Sequence, residues 1–326
     1  MILGVECTAH TFGIGICEKG KILANKKDMY KTSSGGIIPT ESAKHHREVS
    51  EKIYHEALEE ANIKESQITA IALSNAPGLS PCLHAGMEFA KTLAKKLNLK
   101  IIPVNHCIAH LEIGRSIGAK DPVLLYASGA NTQIIAYASG KYRVFGETLD
   151  LGIGNFIDKI SRYTGLGFPG GPEIEKYAKS GKYIELPYSI KGMDVSFSGM
   201  QTKIQQLYDK KIPIEDLAFS LQETAFAMLI EAAERALAHT GKKELVLGGG
   251  VACNSRFQEM CQIMCKERIQ KTEFFCPERS LLVDNAAMIA FTGELMIEKD
   301  PSLAISADKL EIKPRERTDQ VNVTWR

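Results

Sequence analysis

The chain has 326 residues, with 40 Lys+Arg against 39 Asp+Glu and a net charge of +1. That balance excludes a protein that holds nucleic acid by bulk charge alone. Its 44% hydrophobic and 24% charged residues exclude a disordered chain and suit a globular protein of two domains or one large duplicated one. No apolar run reaches the roughly 18 residues of a membrane span. Residues 1–6 carry no basic segment ahead of an apolar one, so a cytosolic protein without a membrane partner is expected. Eight scattered cysteines read as reduced, mostly buried thiols. Cys261 and Cys265, one helical turn apart with Cys276 beyond, read as core-facing positions rather than a zinc site.

The first feature along the chain is a repeat. Residues 2–22 and 122–142 superpose without gaps: an apolar strand, a small-polar turn, an alternating strand, then a Gly-Lys turn into a third strand. Thr8 falls on Ser128, Thr11 on Asn131 and Gly20-Lys21 on Gly140-Lys141. Each half then holds helices and a strand–loop–helix unit, at Ile71–Gly78 in the first and Leu245–Val251 in the second. The second half is longer, with its surplus placed at 168–207. The expected organisation is an N-terminal lobe over 1–120 and a C-terminal lobe over 121–326. Apolar spacing predicts helices over Lys44–Ala61 and Leu217–His239, the latter closed by Gly241. Asp284 is expected to cap a helix over Asn285–Glu298.

Turns built from small residues expose backbone N–H groups and suit phosphate. Two lie in matching repeat positions and a third is Gly248-Gly249-Gly250, so a nucleotide site is expected. No P-loop and no dinucleotide fingerprint occurs. His106 and His110 stand i, i+4 and share a helix face, a two-ligand grip for a divalent metal. Cys107 follows His106, so the glutamate of H-E-x-x-H is missing and a zinc peptidase is disfavoured. Tyr126 and Asp284 are candidate oxygen donors to the same metal. Asp158 and Glu175 flank the shaped loop Gly165–Pro172. His45-His46 reads as part of a solvated basic helix face.

Several ordered motifs carry a resemblance. They are Gly35-Gly36-Ile37-Ile38-Pro39, His106/His110, Ser128-Gly129-Ala130-Asn131-Thr132, Pro169-Gly170-Gly171-Pro172-Glu173, Asp194–Gly199, Gly248–Ala252, Asn254 and Asp284-Asn285. Together the chain resembles the universal family that makes threonylcarbamoyladenosine in tRNA. Glu6–Thr11 and Val323–Arg326 are similar to its archaeal and eukaryotic branch, the catalytic subunit of the KEOPS complex. Older names called this family a glycoprotease.

The resemblance implies an α/β, two-lobed, actin-like or sugar-kinase-type ATPase fold with pseudo-duplicated lobes and a central nucleotide cleft. It implies transfer of threonylcarbamoyl from threonylcarbamoyl-AMP to N6 of the adenosine beside the anticodon. His106, His110, Tyr126 and Asp284 would hold one divalent metal, iron or zinc. Tyr126, Ala127, Ser128, Gly129, Ala130, Asp158, Gly171, Glu175 and Asn254 would hold the adenylate, with Asp158 also a candidate proton acceptor. The implied partners are tRNA and the other KEOPS subunits, including a small atypical kinase, fused to this protein in some archaea, and a small dimerising subunit. Ala76, Ala130 and Ala286 replace the more usual glycine, and at Ala130 this would cost about 1 kcal/mol if the turn needs a positive φ. RNA contact is expected at Lys26-Lys27, Lys95-Lys96 and Lys210-Lys211. A sugar-kinase-like phosphotransferase and a non-catalytic RNA scaffold are the competing readings.

Overall fold

The structure is a computed structural model describing residues 1–31 and 36–326, so Gly35 of the first motif lies outside the described residues. In chain order the elements are β1 (Ile2–Glu6), β2 (Thr11–Glu18), β3 (Lys21–Met29), α1 (Pro39–Ala61), β4 (Ala70–Ala76), α2 (Ser80–Leu97), β5 (Ile101–Asn105) and α3 (His106–Glu112). Then come β6 (Val123–Ala127), β7 (Thr132–Ala138), β8 (Lys141–Glu147), α4 (Ile153–Tyr163), α5 (Gly170–Ala178), β9 (Ile190–Lys191), β10 (Asp194–Val195) and α6 (Ser198–Asp209). The rest are α7 (Ile214–Thr240), β11 (Glu244–Gly248), α8 (Ser255–Glu267), β12 (Glu273–Phe275), α9 (Arg279–Leu282) and α10 (Ala286–Lys299). No helix among the described residues is long and apolar enough to cross a membrane.

The repeat is real at the level of topology. One sheet runs β3-β2-β1-β4-β5 and the other β8-β7-β6-β11-β12, the same order in both. In each, the first two strands of the meander pair antiparallel and the third-repeat strand joins in parallel. The two Gly-Lys turns adopt the same left-handed pair of residues, Lys19-Gly20 at φ 51° and 76° and Ser139-Gly140 at φ 51° and 78°. Two consecutive positive φ values make type I′ turns, whose twist matches that of the flanking strands.

The chain divides into two compact units, but not at residue 120. The first holds Met1–Ile117, 138–142 and Asp284–Arg326; the second holds Gly118–Tyr137 and Arg143–Val283. The segment 284–326, expected in the C-terminal lobe, therefore belongs to the first unit. The reason is α10, which lies against β1, β2 and β4. Glycines let it come close: a Cβ on Gly4 would sit 2.4 Å from Ala286 O, and one on Gly15 would sit 2.4 Å from Ala287 N. In the second unit, α7 is the long central helix, with Leu217, Leu221, Phe226, Leu229 and Leu237 buried. Cys261 and Cys265 face the same core from α8. The surplus at 168–207 contains α5, the β9–β10 hairpin and most of α6.

Helix ends differ from expectation where a cap outweighs periodicity. α1 starts at Pro39 rather than Lys44, because proline is preorganised at the first helical position. α7 begins at Ile214 and ends at Gly241 in a left-handed conformation, as its glycine predicts. The cap of α10 is Asn285, whose side chain accepts the Met288 N–H at 2.9 Å. Asp284 is not the cap. His46 is not on a solvated face either. It is fully buried on α1 against Phe12, with ring centroids 5.7 Å apart, while neighbouring His45 meets Asp28 at 3.0 Å.

Burial pushes the His46 imidazole down to about 4. The unfolded chain then binds the extra proton first as pH falls through the ordinary histidine range, so stability is lost between about pH 6.5 and 4. The loss is roughly 3 kcal/mol if the shift is realised in full. Urea unfolding of His46→Phe at pH 7 and pH 4.5 is expected to show a smaller drop than the parental chain; an equal drop assigns the acid sensitivity elsewhere.

Candidate functional site

Asn105 ends β5, and its side chain accepts the N–H groups of Cys107 and Ile108 at 3.1 and 3.3 Å. This cap starts α3 at His106 and places His110 one turn on. The whole of α3 is buried. The two imidazoles sit edge to face, with centroids 4.8 Å apart. Their Nε2 atoms lie 3.3 and 3.5 Å from Asp284 Oδ1. Asp284 reaches them from two residues ahead of α10, and Lys27 Nζ donates to its backbone carbonyl at 3.0 Å.

Glu6 is the residue that sequence reasoning missed. It is the last residue of β1 and fully buried. His106 Nδ1–H donates to its Oε2 at 2.9 Å, while the Thr8 N–H and hydroxyl donate to Oε1 at 2.8 and 2.5 Å. A carboxylate on Nδ1 fixes the tautomer and turns the Nε2 lone pair toward Asp284. The available signal was a glutamate closing an otherwise apolar strand next to a Thr-rich turn.

The electrostatics suit a cation. Burial alone would push the Asp284 carboxyl up, but the charge and hydrogen bonds of His106 and His110 hold it well below the usual range. Burial pushes the His110 imidazole down. An ionised carboxylate facing a neutral imidazole is a metal-ligand pair, and all three donor atoms lie within 4.8 Å of one another. Two imidazoles and one carboxylate are the donor set favoured by iron(II) and zinc. His106, His110 and Asp284 thus form a group able to hold a metal ion, all within the first unit. Tyr126 lies on β6 in the second unit, buried and paired with Gly248 and Gln133 in its sheet.

The expected nucleotide residues fall in the second unit. The turn after β6 is tied to the start of α4: Gly154 N–H donates to Ser128 O and Asn155 N–H to Gly129 O. Gly152 and Gly154 permit this, since a Cβ on either would come within 3 Å of that turn's backbone. Gly249, at φ 93°, passes 2.3 Å from Ala127 O at the place a Cβ would occupy. Ala130 is not among the described residues with positive φ, so its methyl group carries no backbone strain. Ala286 directs its methyl toward Gly13, which has room for it.

Asp158 Oδ1 accepts the Gly170 N–H at 2.7 Å and so pins the glycine loop to α4. Burial pushes its carboxyl up, against the pull of Gly170 and Arg162. Glu175 and Asn254 are brought together at the start of α8. Glu175 Oε1 accepts from the Ser255 N–H and hydroxyl at 2.9 and 2.5 Å, while Asn254 caps the helix through Phe257 N–H and donates to Gln222 at 2.8 Å. Gly171 is helical with open space where a Cβ would stand.

The tRNA N6-adenosine threonylcarbamoyltransferase family model matches residues 21–291. The chain belongs to this family. Relatives bearing that name are 52% identical in Thermococcus kodakarensis and 51% in Thermococcus sibiricus, each over 99% of both chains. A Thermoplasma volcanium relative named "Probable bifunctional tRNA threonylcarbamoyladenosine biosynthesis protein" is 48% identical over 100% of this chain and 61% of its own length. Among solved structures, HypF of T. kodakarensis aligns with a TM-score of 0.61 at 15% identity, over 91% of this chain and 47% of that one. Component A of the Acidaminococcus fermentans (R)-2-hydroxyglutaryl-CoA dehydratase aligns at 0.55 and 12%, over 89% and 97%. These likenesses concern the fold, which is the expected actin-like α/β class with duplicated sheet topology.

Asp284→Asn leaves the helix cap intact, because Asn285 supplies it. The metal-free variant is expected to unfold at slightly lower denaturant, having lost the pairing with both imidazoles. The difference should widen on adding iron(II) or zinc, which stabilises only the chain that binds it. Glu6→Gln is expected to weaken metal affinity roughly 10- to 100-fold through the histidine it orients. Metal titration followed by elemental analysis reads both; parental affinity in either variant removes that residue from the site.

Proposed function

We propose that this chain transfers the threonylcarbamoyl group of threonylcarbamoyl-AMP to N6 of the adenosine beside the anticodon of tRNA. The observation that carries the reading is the His106–His110–Asp284 group in a chain of this family. In the reaction N6 attacks the carbamoyl carbon, an N–C bond forms, the C–O bond to phosphate breaks, and AMP leaves as the amine loses a proton. The exocyclic amine is a weak nucleophile, so the acyl group needs polarisation and the developing charge needs stabilisation.

The metal is iron or zinc, held by His106, His110 and Asp284. When bound it supplies Lewis acidity and a template for the anhydride. Glu6 keeps the His106 ring in its ligating orientation. Residues 126–130 and Gly171 offer backbone to the adenylate. Asp158, Glu175 and Asn254 hold its polar groups, and Asp158, with its carboxyl pushed up by burial, is the candidate to accept the N6 proton. The partners are tRNA and KEOPS subunits, among them a small atypical kinase and a small dimerising subunit. The bifunctional relatives support an association of this kind, since this chain spans only about three-fifths of their length.

The test is transfer of labelled threonine to tRNA with partner proteins added one at a time. His106→Ala is expected to lose metal and transfer together; parental transfer by the metal-depleted variant overturns the reading. Gly171→Ala separates folding from binding. Alanine favours the helix by about 0.5–1 kcal/mol, so this variant should be as stable as the parent or slightly more so, yet bind adenylate more weakly. Unchanged affinity by calorimetry removes Gly171 from the nucleotide site.

A further inference from the structure

The three lysine pairs expected to meet RNA differ in what surrounds them. Lys26 is paired with Glu60 at 3.2 Å, Lys95 with Asp308 at 3.2 Å and Lys96 with Glu65 at 2.8 Å. Lys27 is committed to the Asp284 carbonyl. Lys210 and Lys211, just beyond α6, are exposed and make no ion pair among the described residues, and the same holds for Lys203. Lys203 precedes Lys210 by two helical turns and shares its face, which flanks the face of Met200 and Ile204 that enters the core.

Aromatic exposure singles out the same region. Every exposed Phe, Tyr or Trp among the described residues lies between 163 and 188; Tyr163, the last residue of α4, stands beside Lys210 through its bond to Asp209, and Phe168 follows on the loop after the same helix. Tyr163, 43% exposed, packs edge-on against Tyr208, and its hydroxyl donates to Asp209 at 2.9 Å. Phe168, 48% exposed, rides a loop that is tied back onto α4. Leu166 N–H donates to Ser161 O at 2.8 Å and the Ser161 hydroxyl to Gly167 O at 2.9 Å. Neither ring is needed to fill the core; the Tyr163 ring and the backbone that carries Phe168 are held in place, so stacking on them costs little ordering.

We propose that the face of the second unit bearing Tyr163, Phe168, Lys203, Lys210 and Lys211 docks a single-stranded RNA segment, with bases on the two rings and phosphates on the three ammonium groups. Unpaired cations beside displayed aromatics are the two components that single-strand recognition requires. In the other two lysine pairs expected to meet RNA, Lys26, Lys95 and Lys96 face carboxylates and Lys27 is held by a backbone carbonyl, which leaves Lys210 and Lys211 as the uncommitted pair of the three. The proposal rests on the transferase reading for its RNA substrate, and it places the unpaired anticodon loop, rather than a duplex stem, on this face.

The experiment is fluorescence anisotropy with the full chain, a labelled anticodon stem-loop and a blunt duplex of equal length, over a salt series. Lys203, Lys210 and Lys211 changed together to Gln should flatten the dependence of log affinity on log salt by about 2, near 0.7 per lost cation. Tyr163→Ala and Phe168→Ala should each weaken stem-loop binding roughly 5- to 150-fold with the slope unchanged. The control Lys26, Lys95 and Lys96 to Gln should bind like the parent. Parental affinity and slope in the lysine variant, equal binding of the duplex, or no binding by the parental chain each overturn the proposal. Threonylcarbamoyl transfer measured in parallel separates the two readings. Loss of binding in the variants from a parental chain that transfers nothing even with its partner proteins added supports the docking face while rejecting the transferase.

Discussion

The close approach of one helix to one sheet underlies the candidate metal site. α10 lies on β1 and β2 with backbone where side chains would normally stand, because Gly4 and Gly15 have none. The approach carries Asp284, two residues ahead of the helix, to within 3.5 Å of two imidazoles that come from a different part of the chain. Any side chain at Gly4 or Gly15 would move the helix by more than a hydrogen bond tolerates. The donor set is thus held by packing, and the ligands need not hold themselves.

Division of labour between neighbouring residues follows from that arrangement. Asn285 satisfies the first turn of α10, so Asp284 is released from capping and can direct its carboxylate at the histidines. On the other side, Asn105 caps α3, and Glu6 takes up the His106 proton-bearing nitrogen. Burying Glu6, His106, His110 and Asp284 without partners would be costly; each instead satisfies another.

The second unit repeats the sheet of the first and uses its turns differently. Where the first unit ends β1 with a buried glutamate, the second ends β6 with a small-residue turn whose carbonyls hold the start of α4. The same topology therefore presents ionisable side chains in one copy and backbone in the other. The residues expected at the adenylate already serve locally, Asp158 on the glycine loop and Glu175 with Asn254 at α8.

The sequence alone determined the features that depend on local periodicity and turn chemistry. Strand alternation and the paired Gly-Lys turns made the duplication visible. The i, i+4 spacing of His106 and His110 made the metal grip visible, and Gly241 marked the end of α7. Tertiary structure decided what depends on residues distant in the chain. It moved 284–326 into the first unit, because glycine contacts between α10 and a sheet leave no periodic signal. It gave the cap to Asn285 rather than Asp284 and buried the α1 residue His46 against Phe12. It also made Glu6 the support of His106, across 100 residues of chain. Among three equivalent-looking lysine pairs, only folding decided which would be neutralised, because a carboxylate neighbour such as Glu60 or Asp308 is adjacent in space and remote in sequence.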